Sequence, residues 1–295
     1  MSSAILFVAA TFLAGVAIGL PVAITLMSAA FVGLVAERGM SVAFNALVNM
    51  PYAKLSEGSL AVIPLFIIMG FFASRAGVSE KAYQMAFKLV GHIRGGLAIA
   101  TVFACAAFSA TSGSSIATSA AVGRIALSEM KRFRYSDAIS TGTIASAGLL
   151  GIMIPPSIML VIYGIITETH IGMLLMAGIL PGALTAVVFC LGLYLMARLR
   201  PELMPITPTP PPLAERFSAL KEGRQIAVLF LIIVGGIYSG IFTTTEAAAV
   251  GAFAAFVMAL MKRPSLRDLL DDSRQRVHIT AMIFLVLIGA GLFSQ

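Results

Sequence analysis

The sequence predicts an all-α polytopic membrane protein in which straight helices surround a re-entrant helical hairpin and a broken transmembrane helix. Three observations carry that prediction. Residues are 59% hydrophobic and only 11% charged, with a mean hydropathy of +0.99, a composition foreign to soluble domains. Long stretches almost free of charge recur along the chain, and a helix crosses a bilayer with about 20 apolar residues. Finally, 18 of the 20 Lys and Arg fall in four connections: Arg75–Arg94, Arg124–Asp137, Arg198–Arg224 and Lys262–Arg276. Positive charge marks the cytoplasmic side, so all four are placed inside. The same clustering argues against nucleic acid as the partner of the +7 net charge.

The chain opens with two apolar segments, Ala4–Ile18 and Pro21–Ala36, interrupted at Gly19-Leu20-Pro21. The first lacks the basic flank of a signal peptide and its apolar run continues too far, so it is read as a retained helix. Glu37–Glu57, with Arg38, Asn45, Asn49, Pro51 and Lys54, is expected along the outer interface, and Ser59–Ser74 as the next crossing. Val78, Ala82, Met85 and Leu89 recur at helical spacing beside Lys81 and Lys88, the pattern of an amphipathic interfacial helix. Cys105 and Cys190 lie inside apolar segments and read as packing residues; His92, His170 and His278 are too scattered for a metal site.

Gly95–Gly123 is apolar, yet the connections on both sides of it are basic. A single crossing would put one of them on the wrong side, so the segment must enter and return. Leu97–Ser109 and Ile116–Leu127 are the expected arms, with the turn in Thr111-Ser112-Gly113-Ser114-Ser115. Close helix packing by small residues would explain Gly113 and Ser119, but not the charge asymmetry. A polar turn at membrane depth is tolerated only in protein or beside a water-filled cavity. The uncharged run Ala138–Thr167 is in turn divided by Gly151-Ile152-Met153-Ile154-Pro155-Pro156-Ser157. Two consecutive prolines remove two backbone donors. The result is either a plain kink or a discontinuous helix whose freed carbonyls near Gly151 and Ile154 face a cavity. Such carbonyls and nearby hydroxyls suit Na⁺, while helix N-termini suit anions.

Ile171–Ala197 completes five crossings around the hairpin, and the proline-rich Pro201–Pro212 comes next as a semi-rigid linker. An odd number of crossings places a second copy upside down. Ile63–Phe72 aligns with Met282–Gly291 at an offset of 219, bringing Gly70 onto Gly289. Gly19-Leu20-Pro21 and Gly240-Ile241-Phe242 correspond at an offset of 221. Inverted repeats of this kind are characteristic of secondary transporters. Glu246, after Thr243-Thr244-Thr245, is read as a helix-start carboxylate in preference to a proton-coupling group.

The runs "IPLFIIMG" (Ile63–Gly70), "GHIRGG" (Gly91–Gly96), "SGSSIATSAAVGRIALSEM" (Ser112–Met130), "IPPSIMLVIYG" (Ile154–Gly164) and "GIFTTTEAAA" (Gly240–Ala249) resemble the large membrane subunit of tripartite ATP-independent periplasmic (TRAP) transporters. The resemblance runs along essentially the whole chain. It implies an ion-transporter-type elevator fold: scaffold helices in 1–74, transport-domain elements in 75–197, a cytoplasmic linker over 198–224, and the first helices of a second repeat in 225–295. It implies Na⁺-coupled uptake of organic acids of C4-dicarboxylate, sialic acid or sugar-acid type across the bacterial inner membrane. A small four-helix membrane subunit and a periplasmic substrate-binding protein are the implied partners, besides membrane lipid. By motif, the resemblance places a sodium site on Ser112, Gly113 and Ser114 with the carbonyls of Gly151, Ile154 and Pro156, and substrate contacts on Ser115 and Ser157.

Two departures from the family pattern stand out. Thr244 replaces a proline, and the sequence stops at Gln295 inside an apolar segment, before a second hairpin and second broken helix. The expectation is therefore a truncated second repeat. A stand-alone Na⁺/carboxylate symporter of similar architecture is the nearest alternative. A channel would require a hairpin repeated around a pore. An enzyme would require a nucleophile or metal set, and Ser112 and Ser114 have no His or Asp motif beside them.

Overall fold

The computed structural model describes residues 3–205, 211–262 and 266–294, with side chains except at 3, 213 and 266–276. In chain order the helices are α1 (Ser3–Ile18), α2 (Val22–Arg38), α3 (Met40–Leu55), α4 (Val62–Arg75), α5 (Val78–Val90), α6 (Gly96–Ser112), α7 (Ser115–Arg132) and α8 (Asp137–Gly148). They continue with α9 (Leu150–Met153), α10 (Ile158–Ile166), α11 (Ile171–Leu199), α12 (Leu213–Glu222), α13 (Arg224–Phe230), α14 (Gly236–Tyr238), α15 (Thr244–Leu260) and α16 (Leu266–Phe293). A π-helical turn, Leu231–Gly235, joins α13 to α14. Helix is the only regular structure among the described residues. Together with the apolar composition, this is an all-α polytopic membrane protein.

Two compact units are present: Met1–Ala61 with Leu266–Gln295, and Val62–Ser265. In the first, α2 packs against α1, α3 and α16. Its core joins Ala30 and Leu34 of α2 to Ala43 of α3 and Leu292 of α16, with Phe31, Leu47 and Met50 around them. Small residues set the spacing. A methyl on Gly289 would stand 2.8 Å from the Ala23 carbonyl oxygen, so α16 and α2 approach to backbone distance there.

In the second unit α6 is the central post. Leu97 to Cys105 and Phe108 to Ser112 are buried almost without interruption, and α4, α5, α7, α8, α9, α11 and α13 all pack on it. Its apolar composition on every side fits that position. The helix thus carries its C-terminal residue, Ser112, into the interior of the unit. α15 packs along α4, where Phe72 and Phe256 meet edge-on at 4.9 Å.

Gly58–Arg75 and Ile171–Leu199 are long and apolar enough to cross a membrane by length and composition, and so is the pair Asp137–Met153 and Ile158–Ile166 if counted as one span bent by 46°. The other apolar helices are shorter, α1 and α2 being 16 and 17 residues. The linker contains a helix of its own, α12, which packs on α5. Residues 206–210 of the proline-rich stretch and 263–265 of the last basic connection lie outside the described residues. Glu246 closes a reciprocal cap at the start of α15. Its Oε2 accepts from the Thr243 backbone N–H at 2.8 Å, and the Thr243 hydroxyl accepts from the Glu246 N–H at 3.3 Å.

Candidate functional site

The turn between α6 and α7 consists of two residues. Gly113 ends α6 in the left-handed region at φ +62°, its N–H donating to the Ser109 carbonyl. Ser114 is extended and caps α7, its hydroxyl accepting from the Ala117 N–H at 3.3 Å. Glycine is required at 113 for conformation, and Ser is a preferred N-cap, so the Gly-Ser pair is the local reason for the reversal. Ser112 is buried, its hydroxyl 2.7 Å from that of Thr118 one turn into α7. The two arms are therefore joined at the tip by a hydroxyl pair shielded from water.

The second break lies between α9 and α10. An α-helical carbonyl accepts from the N–H four residues on, and each carbonyl of interest here has lost that donor. For Gly151 the donor would be residue 155, a proline. For Ile154 it would be Ile158, whose N–H instead donates to the Gly113 carbonyl at 3.0 Å. For Pro156 it would be Leu160, whose N–H donates to the Ser157 hydroxyl at 3.3 Å. The Ile152 carbonyl, deprived by Pro156, is taken instead by the Ser157 hydroxyl at 2.5 Å. Ser157 is fully buried, capping α10 and closing the end of α9 at once.

The two breaks face one another. A methyl on Gly113 would lie 2.7 Å from the Pro156 oxygen, and one on Gly151 would lie 2.8 Å from the Ser114 carbonyl. Ser112, Gly113, Ser114, Gly151 and Pro156 thus come together in one place, while Ile154, in the same break, packs at Gly182 of α11, where a methyl would meet its side chain at 2.8 Å. Ser115, half-buried, opens α7 beside them, while Ser157 stands at the start of α10. Three further contributors lie outside the site residues named from the sequence. Gly70 of α4 packs its Cα against the Ser112 backbone, where a methyl would meet the carbonyl oxygen at 2.9 Å. Thr118 supplies the partner of Ser112. Gly148 of α8 leaves room for the Ser119 hydroxyl of α7. Thr118 has a visible signal, as the hydroxyl that ends "SATSGSSIAT" (Ser109–Thr118).

Residues 9–295 match the family described as tripartite ATP-independent periplasmic transporter, DctM component. The chain belongs to this family. It is 42% identical over 248 residues to the C4-dicarboxylate TRAP transporter large permease protein DctM of Pseudomonas aeruginosa, covering 82% of this chain and 57% of that protein. Against the ectoine/5-hydroxyectoine TRAP transporter large permease protein UehC of Ruegeria pomeroyi it is 35% identical over 278 residues, 93% of this chain and 64% of the relative. Against the sialic acid TRAP transporter large permease protein SiaM of Vibrio cholerae it is 31% identical over 278 residues, 94% and 64%. The chain therefore spans 57% to 64% of the length of these three relatives. Family membership places it among membrane components of transporters and not among enzymes.

Proposed function

We propose that the chain forms part of the permease of a Na⁺-coupled secondary transporter that imports organic acids across the bacterial inner membrane. The relatives' substrates range over C4-dicarboxylates, ectoines and sialic acid, so the common chemistry assigned here is an organic acid or zwitterion. Substrate would arrive on a periplasmic binding protein, with a small four-helix membrane subunit completing the permease. One observation carries the reading: the break that deprives the Gly151, Ile154 and Pro156 carbonyls of their helical donors lies against the polar turn Ser112–Ser114, with the Pro156 oxygen beside Gly113 and Gly151 beside the Ser114 carbonyl. A sodium ion that sheds water at membrane depth takes oxygens in exchange, and this cluster offers carbonyls and hydroxyls. The C-termini of α6 and α9 present their negative dipole ends to the same place. The N-terminus of α7 offers donors and a positive dipole end to a substrate carboxylate at Ser115, whereas Ser157 is buried with its hydroxyl already given to the Ile152 carbonyl. Movement of this interlocked pair as one body would be the elevator step.

Uptake by the complete permease and its partners in proteoliposomes, driven by an imposed Na⁺ gradient, tests the reading. The Ser112→Ala/Ser114→Ala variant should need far more Na⁺ or lose coupling. Its stability should fall by about 1 kcal/mol for the lost cap and by about 1–3 kcal/mol more for the buried Thr118 hydroxyl left without its partner. Uptake that keeps its original Na⁺ dependence in that variant would reduce these hydroxyls to packing residues.

A further inference from the structure

The linker helix α12 and the residues that continue it have two opposite faces. Ala219, Glu222, Gly223 and Ile226 form one stripe at helical spacing and turn toward the protein. Lys88 of α5 holds Glu222 at 2.6 Å, Lys81 holds Gln225 at 2.9 Å, and Met85 packs on Gly223. Phe217, Leu220, Lys221 and Arg224 form the opposite stripe, at i, i+3, i+4 and i+7, and all four are exposed. Phe217 is 70% and Leu220 52% accessible. Of the acidic residues of this segment, Glu222 is held by Lys88 and Glu215, itself exposed, lies across the helical wheel from Phe217 and Arg224. The outward stripe therefore combines two large apolar groups with two cations and no anion.

The adjoining apolar helix, Arg224–Tyr238, fixes the depth of this stripe. Arg224 is its first residue and marks the level at which the chain enters hydrocarbon. Phe217 is seven residues earlier, within about 10 Å of that level at 1.5 Å per residue. The connection Arg198–Arg224 carries five basic residues, which places this boundary at the cytoplasmic leaflet. An aromatic and a leucine flanked by cations at headgroup level is the arrangement that binds anionic membrane surfaces.

We propose that the outward stripe of α12 docks on anionic phospholipid of the cytoplasmic leaflet, with Phe217 and Leu220 among the acyl chains and Lys221 and Arg224 on the phosphates. α12 is then clamped between the bilayer and α5, so the linker is a membrane-borne strut and not a free tether. Bimane attached at Leu220→Cys, in a Cys105→Ala/Cys190→Ala background of the full chain, reports the contact. In vesicles mixing phosphatidylcholine with phosphatidylglycerol, brominated phosphatidylglycerol should quench the probe more than brominated phosphatidylcholine does. The excess should shrink by up to about fivefold for each cation removed in Lys221→Gln and Arg224→Gln. It should also vanish at high salt with the sequence untouched. Equal quenching by the two lipids overturns the proposal. So does protection of position 220 from an aqueous maleimide without lipid quenching, which would mean that another protein covers the stripe.

Discussion

Gly113 and Gly19 both sit at positive φ between two apolar helices, at +62° and +82°, yet they stand in unlike surroundings. A methyl on Gly19 would meet nothing within 4 Å, and the same holds for its repeat counterpart Gly240, at φ +71°. A methyl on Gly113 would strike the Pro156 carbonyl. The chain thus uses one signal, a glycine interrupting an apolar run, for two purposes. At 19 and 240 it supplies conformation alone, and the chain turns from one helix into the next. At 113 it supplies conformation and space together, and backbone meets backbone. Only the second arrangement gathers redirected donors and deprived carbonyls around one point, which is why the breaks at 113 and 154–157 are candidates for chemistry and the others are connectors.

The sharpest way to break that comparison is Gly113→Ala. The left-handed conformation costs an L-residue about 1–2 kcal/mol, and overpacking against backbone typically adds about 1–3 kcal/mol. The expected loss is therefore about 3 kcal/mol, read as a fall in the midpoint of thermal unfolding in detergent, with Na⁺-driven uptake abolished. A variant that unfolds at the original temperature would show that the tip is not held against the broken helix.

A smaller effect separates space from conformation. Gly151 and Gly70 are ordinary helical glycines, but a methyl on either would lie within 3 Å of the backbone at Ser114 or Ser112. Alanine at each should cost about 1–3 kcal/mol by overpacking and raise the Na⁺ concentration for half-maximal uptake. Gly251→Ala is the control, since its methyl would meet the Met69 sulfur at 2.8 Å, a side chain that can shift. If all three variants share one Na⁺ dependence, proximity to the turn has no functional weight.

Much of this architecture is legible in the residues alone. The break at Pro155–Pro156 comes from missing donors, and the return at Gly113 from charge on both flanks. The repeat is visible too: shifted by 221 residues, α2 overlays α15 to within one residue, and shifted by 219, α4 falls on the C-terminal part of α16 to within one residue. The pairing of α2 with α16 in one unit is made again by α15 with α4 in the other. What cannot be read is which freed donor finds which acceptor. Nothing in the order of residues says that the Ile158 N–H reaches the Gly113 carbonyl across 45 positions, or that Gly70 is the glycine lying on Ser112. Those are tertiary facts, set by how α6 is buried among its neighbours. The helix α12 escapes for a local reason: "PELMPITPTPPP" (Pro201–Pro212) reads as a helix breaker, and the helix starts immediately after it.

The smallest effect belongs to Gly19 and Gly240, and it sharpens the comparison from the other side. Alanine at either position meets open space, so the cost reduces to the left-handed conformation, about 1–2 kcal/mol. Asparagine tolerates that conformation better than other L-residues because its short polar side chain bonds locally. Gly19→Asn and Gly240→Asn should therefore recover most of the stability lost in the alanine variants and leave the Na⁺ dependence of uptake unchanged. At 113 the same substitution should recover nothing, because the Cβ itself is what Pro156 excludes. Thermal unfolding of the six variants, alanine and asparagine at each of three positions, reads the difference. Rescue at 113 would mean that conformation alone keeps glycine there, and the contact with the broken helix would lose its claim to be what the turn is built for.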